Sequence, residues 1–422
     1  MKRHFQSSMA AVALPFIAML TQSSHPTCAL AQAASSETVE EQVAIEIGQR
    51  LTIKSNVLNQ KREYLVYLPA SYDANQYLPQ SYPVLFLFDG NVQFHLVTGM
   101  VDYMAKDGWQ IPELIIVGIT QRNRTHELTP TRSLKDFRVG KTTQQNSDSG
   151  GGEAFLQFIT EELIPKIDAD YRTRPYRILF GHSYGGLLAA HAFIKNDDAF
   201  NAFILADPSL WWDDRVVLRM LEEVISSGGL QDRQTTMFVS NVPAYLAPGD
   251  QLLQQGFKNI EQSVRNFGEK LKQVESIRLR AKEFDAETHH SLPVQTLYHG
   301  LRHVFDGYEL PPEYFLSMPE KIEERFRELS EDLGLRMLPR EQLIDMWGMA
   351  FLNYDEDFRK HAFPLLELNT KHYPASPNAH ASLGTAYAAV AKTSQARAAF
   401  EKAIELDPGN KAATEGLETL LK

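Results

Sequence analysis

Short apolar runs and helix-like segments alternate along residues 43–310. Residues 43–54 and 62–68 alternate apolar with polar side chains, which predicts an opening antiparallel pair of strands. Six short apolar runs follow, at 84–88, 114–119, 178–180, 202–205, 237–240 and 277–284. Helix-like segments, among them 153–167 and 256–273, separate these runs. Buried strands that alternate with helices predict a mostly parallel sheet with helices on both faces, an α/β domain that ends near residue 310.

From residue 311 onwards the pattern is helical and contains a repeat. Seven spaced residues of a unit that starts at Pro377 match a tetratricopeptide repeat: Leu383, Gly384, Tyr387, Ala396, Phe400, Ala403 and Pro408. A partial match lies thirty-four residues earlier. The sequence therefore predicts an all-α domain of tetratricopeptide-type repeats over 341–422 after a helical linker over 311–340. Two repeats are few for a free-standing array, so we expect helices of 313–345 or the α/β domain to pack beside them.

The first thirty-three residues have the pattern of a cleavable secretory signal. A basic start is followed by an apolar run at 9–20 and by small residues at 29–33. The alternative interpretation is a buried N-terminal helix. The run is too short to span a bilayer, and no later segment is long enough to be an integral membrane segment. Cleavage would remove Cys28, the only cysteine. We therefore expect a periplasmic or secreted mature protein from residue 34, with neither a disulfide nor a thiol nucleophile.

The overall charge narrows the range of partners. Hydrophobic residues make up 43% of the chain and charged residues 23%, as in a globular protein, and the formal net charge is -11. An acidic surface repels phosphate, so nucleic acid and anionic membranes are excluded as non-specific partners. Small molecules or proteins are favoured instead.

A Gly-His-Ser-Tyr-Gly motif occupies residues 181–185. It follows the apolar run 176–180 and precedes the helix-like segment 186–194, which is the setting of a nucleophile elbow. The glycines are needed there because the turn is sharp, and larger side chains would collide with the flanking strand or helix. The motif therefore predicts that Ser183 is a nucleophile, in preference to a member of a glycine-rich turn.

A serine hydroxyl needs a base within hydrogen-bond reach, and after an elbow of this kind the base is a histidine further along the chain. The downstream candidates are His289, His290, His299 and His303. The first two follow the last predicted strand directly, at the sheet edge that carries the elbow. The other two lie on a helix-like segment, where we expect packing or surface roles. His182, inside the elbow, is expected to support the loop.

Five segments resemble, in order, the putative-esterase family of α/β-hydrolases, which includes enterochelin-esterase-like siderophore hydrolases. They are FLFDGNVQF (86–94), IIVGITQRNRTHELTPT (115–131), GHSYGG (181–186), ADPSLWW (206–212) and ETHHSLPVQTLYHGLR (287–302). The resemblance covers about residues 45–310, and a subset of such secreted proteins carries a C-terminal tetratricopeptide region. It implies an α/β-hydrolase fold over 34–310 and hydrolysis of carboxylic esters, with siderophore-type esters as candidate substrates.

The resemblance also implies roles for single residues. Ser183 falls on the nucleophile of the family, and His289 falls on its base in preference to His290, because that histidine precedes a small residue or His and then Ser or Thr. The oxyanion hole would be formed by the main-chain N–H groups of Tyr184 and of a residue after FLFDG, for which Asn91 is the best position.

The acid of the triad stays open at this point. Relatives place an acid soon after the strand that corresponds to 237–240, but this chain reads NVPAY there. Asp250 lies nine residues past Asn241, and Asp207 directly follows the preceding strand. Glu287, two residues before the candidate base, is a third candidate. A Ser–His pair without an acid is the remaining alternative.

Substrate contacts and rival functions complete the prediction. Trp211 and Trp212 are candidates for a substrate wall, and Arg122 and Arg124 are candidates to hold an anionic group bidentately.

No motif for a phosphate-binding loop, a dinucleotide or a metal is present, so we expect no cofactor and no metal. The sequence thus predicts a serine esterase that works through an acyl-enzyme. The alternatives are an acyltransferase and a non-catalytic scaffold whose repeat region binds a protein partner.

Overall fold

The computed structural model describes residues 44–73, 80–135, 142–195, 198–231, 233–244, 251–354 and 356–421. The predicted signal over 1–33, Cys28 and Asp250 lie outside these residues.

One mixed sheet organises the α/β part of the described chain. Its strands are β1 (Gln49–Ser55), β2 (Gln60–Tyr67), β3 (Tyr82–Leu87), β4 (Ile115–Ile119), β5 (Thr173–His182), β6 (Ala202–Ala206), β7 (Thr235–Asn241) and β8 (Ile277–Glu283). Their spatial order is β1-β2-β4-β3-β5-β6-β7-β8. β1 and β2 pair antiparallel, β2 is antiparallel to β4, and all remaining pairs are parallel. The mostly parallel sheet and the opening antiparallel pair are confirmed.

Helices connect the parallel strands. They are α1 (Gly90–Lys106), α2 (Arg124–Leu128), α3 (Gly152–Phe158), α4 (Ile164–Asp170), α5 (Tyr184–Ile194), α6 (Trp212–Ser226), α7 (Gln251–Leu271) and α8 (Leu292–Val304). A π-helical turn over Ile159–Leu163 joins α3 to α4, so the helix predicted over 153–167 is continuous but irregular. Pro165 explains the irregularity, since proline donates no hydrogen bond to the preceding turn.

The sheet has an apolar core on each face, because its inner strands alternate their buried side chains between the two. Phe86 and Leu179 point into a core that they share with α3, α5, α6 and α7. Leu85 and Ile178, their neighbours in the chain, belong to the opposite core with α1 and α8. Strands β3 to β7 are therefore buried on both sides, apart from both ends of β5 and its half-buried Arg177, which is why they read as short apolar runs in the sequence.

Seven further helices follow in the described residues beyond position 310. They are α9 (Pro312–Ser317), α10 (Pro319–Leu333), α11 (Glu341–Leu352), α12 (Glu356–His372), α13 (Pro377–Ala389), α14 (Thr393–Leu406) and α15 (Lys411–Leu420). Side chains of α9 to α12 join the core that contains α1 and α8, among them Phe326, Ile344 and Leu365. Arg340 reinforces this packing, since its guanidinium group donates to the carbonyl of Ala105. The core is thus continuous across residue 310.

Helices α13 to α15 pack around a small apolar cluster of their own, with Phe400 and several alanines. Gly384 on α13 faces Phe400 so closely that a methyl group on Gly384 would lie 2.6 Å from the phenyl ring. A small residue is therefore required where the two helices approach. The tetratricopeptide type of these helices stays a prediction.

Candidate active site

Ser183 lies on a sharp turn between β5 and α5. Its backbone has φ 59° and ψ -115°, a conformation that costs a non-glycine residue free energy. The N–H of Ser183 donates to the carbonyl of Ala206 at 3.0 Å, which ties the turn to the end of β6. A methyl group on Gly181 would lie 2.3 Å from the carbonyl oxygen of Gly185. The glycines flanking Ser183 are therefore imposed by the close approach of strand and helix, as expected of a nucleophile elbow.

The hydroxyl of Ser183 faces a second serine. Ser183 Oγ lies 3.4 Å from Ser209 Oγ, and the N–H of Ser209 donates to the carbonyl of Ser183 at 3.0 Å. Ser209 is buried in the loop that follows β6. Sequence reasoning did not single it out, although it stands in the quoted segment ADPSLWW.

The candidate base and one candidate acid meet at the same sheet edge. His289 follows β8, and its Nδ1 lies 2.6 Å from Oδ2 of Asp207, which follows β6. The Asp207 side chain is only 4% exposed, and its backbone is held by an N–H donated to the carbonyl of Ser240. Asp250 lies outside the described residues. Glu287 accepts instead from the hydroxyl of Ser291 at 2.5 Å.

The remaining downstream histidines have different surroundings. His290 is exposed, and its ring centroid is 5.3 Å from that of His289. His303 is buried in α8, where Nε2 contacts the carbonyl of Arg278 at 3.0 Å. His299 packs against Phe284 with ring centroids 5.4 Å apart. The last two therefore have the packing roles that their helical setting suggests.

His182 supports the loop that carries His289. Its Nε2 lies 2.8 Å from the carbonyl oxygen of His289, and the two imidazole rings are 4.5 Å apart. Because a carbonyl only accepts, Nε2 of His182 carries the proton and donates it. Burial, followed by electrostatic interaction with His289, lowers the pKa of His182 to about 3. His182 is therefore a neutral hydrogen-bond donor at physiological pH.

The two predicted oxyanion donors lie at the beginnings of neighbouring helices. Tyr184 is the first residue of α5, and Asn91 is the second residue of α1. A methyl group on Gly185, the second residue of α5, would lie 3.2 Å from Cβ of Phe88, which precedes α1 by two residues. Main-chain N–H groups of a first helical turn point beyond the helix, where they attract negative charge. Tyr184 and Asn91 therefore occupy positions that suit such donors, and their role in an oxyanion hole stays a prediction.

Only one of the two candidate arginines contacts the elbow. Arg122 is exposed and donates to Oε1 of Gln60 at 3.0 Å. Arg124 forms a bidentate ion pair with Asp89, donates to the carbonyl of His182 at 3.2 Å and lies 5.5 Å over the ring of Tyr184. Asp89 was not singled out from the sequence, although an acid directly after a buried strand was a signal that could have marked it.

The two tryptophans have different surroundings. Trp212 is fully buried, its Nε1 donates to the carbonyl of Thr131 at 3.2 Å, and its ring packs 5.3 Å from Tyr184. Trp211 is half-buried, with its ring centroid 6.2 Å from that of Tyr184. Trp212 therefore packs the loop onto the sheet, while Trp211 keeps its place as a candidate substrate wall.

Comparison with known proteins places these residues in a family context. Residues 55–265 match the model of a family described as putative esterase, a segment that includes Ser183 and Asp207 and ends before His289. Ferri-bacillibactin esterase BesA of Bacillus subtilis is 28% identical over 253 residues, which are 56% of this chain and 83% of that relative. Siderophore triacetylfusarinine C esterase of Aspergillus fumigatus is 27% identical over 170 residues, 37% of this chain and 55% of that relative.

A solved structure extends the similarity to the fold. An IroE-like serine hydrolase from Shewanella oneidensis superposes with a TM-score of 0.65 at 29% identity, over 77% of this chain and 99% of that one. No helix among the described residues is long and apolar enough to cross a membrane.

Proposed function

We propose, from the premise that the chain belongs to the putative esterase family and is a carboxylic ester hydrolase, that it cleaves esters through an acyl-enzyme on Ser183. The observation that carries this proposal is the convergence of three loops at one sheet edge. The strained turn of Ser183, the buried carboxylate of Asp207 and the imidazole of His289 follow three different parallel strands. That is the arrangement of a nucleophile, an orienting acid and a base.

The proposed reaction begins with proton transfer to His289. Asp207 accepts the Nδ1–H of His289, which leaves Nε2 as the acceptor for the proton of the Ser183 hydroxyl. Among the described residues, the hydrogen bond formed by Ser183 Oγ goes to Ser209. Either hydroxyl can donate across this contact, so the Ser183 hydroxyl can accept from Ser209 while it donates its own proton to His289.

Attack of Ser183 Oγ on the ester carbonyl forms a tetrahedral intermediate. Its negative oxygen accepts from the main-chain N–H groups of Tyr184 and Asn91, and each such donor contributes about 3 kcal/mol to catalysis. The C–O bond to the alcohol then breaks, and His289 returns the proton to the leaving oxygen. Water activated by the same histidine hydrolyses the acyl-enzyme and regenerates Ser183.

The substrates that we propose are siderophore-type esters. Two relatives are named as esterases of siderophores, ferri-bacillibactin and triacetylfusarinine C. Tyr184 and Trp211 provide aromatic surface beside Ser183, which suits a ligand with flat or apolar groups.

A product assay tests this function. The purified protein is incubated with ester-linked siderophores, iron-free and ferric, and with an amide-linked analogue, with and without a short alcohol. We expect hydrolysis of the ester-linked compounds alone, lost in Ser183→Ala. Transfer to the alcohol in place of hydrolysis would identify an acyltransferase instead. Absence of both products from the folded protein would refute siderophore-type esters as substrates, and a failure of fluorophosphonate labelling at Ser183 as well would leave a non-catalytic scaffold.

We also propose export of the protein, supported by the signal pattern over residues 1–33. N-terminal sequencing of the periplasmic and secreted fractions should give a mature protein that starts near Ala34. An intact Met1 on the exported protein would refute the cleavage.

For residues 341–422 we propose a tetratricopeptide region that binds a protein partner. Support comes from the spacing of the repeat residues and from the close contact of Gly384 with Phe400. A photo-crosslinking residue at Met346, which is 49% exposed, should capture a specific protein in cells. No crosslinked protein from this position or from neighbouring exposed positions would refute the partner.

A further inference from the structure

We infer that Arg124 is a positioning residue that, through Asp89, sets the spacing between the two main-chain donors of the oxyanion hole. The inference rests on the proposed acyl-enzyme function. It replaces the expectation that this arginine holds an anionic group of the substrate, because its guanidinium fork is already occupied within the protein.

The first observation is the geometry of the ion pair. Arg124 Nε donates to Oδ1 of Asp89 at 2.7 Å, and Arg124 Nη2 donates to Oδ2 at 2.9 Å. A bidentate pair of this kind holds both direction and distance, which a single contact does not. The Asp89 side chain is 8% exposed and that of Arg124 is 40% exposed. The carboxylate is therefore largely removed from water, and the arginine provides its counter-charge.

The second observation concerns Asp89, which lies at the start of α1. The ion pair of Asp89 with Arg124 is called the clamp from here on. Asp89 caps this helix in the left-handed region, with φ 55°, where a residue with a side chain is strained. Its N–H donates to Oε1 of Gln121, and its carbonyl accepts from the N–H groups of Val92 and Gln93. The direction of the first turn of α1, and with it the N–H of Asn91, therefore depends on how Asp89 is held.

The third observation concerns the end of the clamp at the nucleophile. Arg124 Nη2 also donates to the carbonyl of His182, the residue that precedes Ser183, and the guanidinium lies over the ring of Tyr184. One side chain thus connects the turn before α1 with the turn before α5, the two helices that carry the predicted donors. Without Arg124, the uncompensated charge of Asp89 would also lie near the position where the negative oxygen forms, and would oppose it.

The test compares four single variants of the full-length protein. Arg124→Ala removes the clamp, Arg124→Lys keeps the charge without the fork, and Asp89→Asn removes the partner charge. Arg50→Ala is the matched control, because Arg50 forms an exposed ion pair with Glu63 on the outer strands. A neutral and an anionic 4-nitrophenyl ester serve as substrates, and a fluorophosphonate probe counts the competent sites.

Positioning predicts that kcat per labelled site falls on the order of 100-fold in Arg124→Ala for both esters, because small misplacements of catalytic groups are costly. KM should change by less than about threefold, since binding of the ground state does not use these donors. Arg124→Lys should lose less kcat than Arg124→Ala. Arg50→Ala should keep the kcat of the wild type. The losses of Arg124→Ala and Asp89→Asn should not add in the double variant, because both break one contact.

Two results would overturn the inference while leaving the proposed function intact. One is an unchanged kcat per labelled site in Arg124→Ala with fewer sites labelled, which would assign Arg124 to folding alone. The other is a rise in KM for the anionic ester only, which would make it a substrate contact. A wild type that takes up no probe on Ser183 would instead refute the proposed function and the inference together.

Discussion

Asp207 Oδ2 and His289 Nδ1 lie 2.6 Å apart, although 82 residues separate them in the chain. The carboxylate is buried and the imidazole is partly exposed, with 4% and 39% of the two side chains accessible. The pair therefore joins a fixed anionic group to a ring that substrate can approach. This contact orients the histidine, and it is the basis of the first prediction.

Asp207→Asn should lower kcat on the order of 10³-fold to 10⁴-fold, because an amide can hold the histidine in the tautomer that offers no acceptor to Ser183. Steady-state kinetics on a 4-nitrophenyl ester measure the loss. Glu287→Gln is the control, since Glu287 accepts from Ser291 and not from His289. A variant of Asp207 with full activity, or equal losses in the two variants, would contradict this assignment of the acid.

The buried His182 should make stability depend on pH. Its pKa is lowered to about 3 in the folded protein, from the ordinary value of 6.5, by burial among His289, His290 and Arg124. Below pH 6.5 the unfolded chain binds a proton that the folded protein does not, so the free energy of unfolding falls as the pH falls towards 3.

The measurement is urea unfolding of wild type and His182→Gln at pH 7 and pH 5. The free energy of unfolding should change between pH 7 and pH 5 by about 1 to 2 kcal/mol less in His182→Gln than in the wild type, because glutamine does not titrate. An identical pH dependence in both proteins would show that His182 takes up its proton as readily in the folded state as in the unfolded one.

A buried ion pair fixes the loop that leads from β4 to Arg124. Arg62 donates through Nη1 and Nη2 to the two carboxylate oxygens of Glu127 at 2.8 Å, with the side chains 1% and 6% exposed. Glu127→Gln should lower the free energy of unfolding by about 3 to 5 kcal/mol, since it leaves the arginine uncompensated. The double variant Arg62→Leu with Glu127→Leu should lose less. If the loss of the double variant equals the sum of the losses of Arg62→Leu and Glu127→Leu measured singly, the two residues are not coupled.

Two glycines should respond in opposite ways to alanine. In Gly181→Ala the new methyl group would meet the carbonyl of Gly185 at 2.3 Å, so the elbow must shift and both stability and activity should fall. In Gly99→Ala, on α1, the methyl group meets nothing within 4 Å, and the helix should gain up to about 1 kcal/mol. Thermal unfolding and esterase assays of the two variants check this, and a neutral Gly181→Ala would show that the turn tolerates a side chain.

Local patterns predicted the strands and the elbow because both depend on neighbouring residues. The run 84–88 is apolar throughout because both faces of β3 are covered, and the glycines around Ser183 indicate a close approach of adjacent elements. The order of strands in the sheet depends on contacts between distant segments, which a single sequence does not contain.

The same reason explains which site residues were left open. Asp207 and Glu287 both follow a predicted strand in the sequence. Only the conformation of the folded loops decides which of them reaches His289. Arg122 and Arg124 are two residues apart, so a small rotation of the loop decides which one contacts Asp89. The core that crosses residue 310 likewise arises from long-range packing.

The central claim, that Ser183 is the nucleophile, is tested most directly by fluorophosphonate labelling. Wild type and Ser183→Ala are treated in parallel, and the adducts are mapped by peptide mass spectrometry. We predict one adduct, on the peptide that contains Ser183, and none on the folded variant. Equal labelling of the two proteins, or no labelling of either, would contradict the claim.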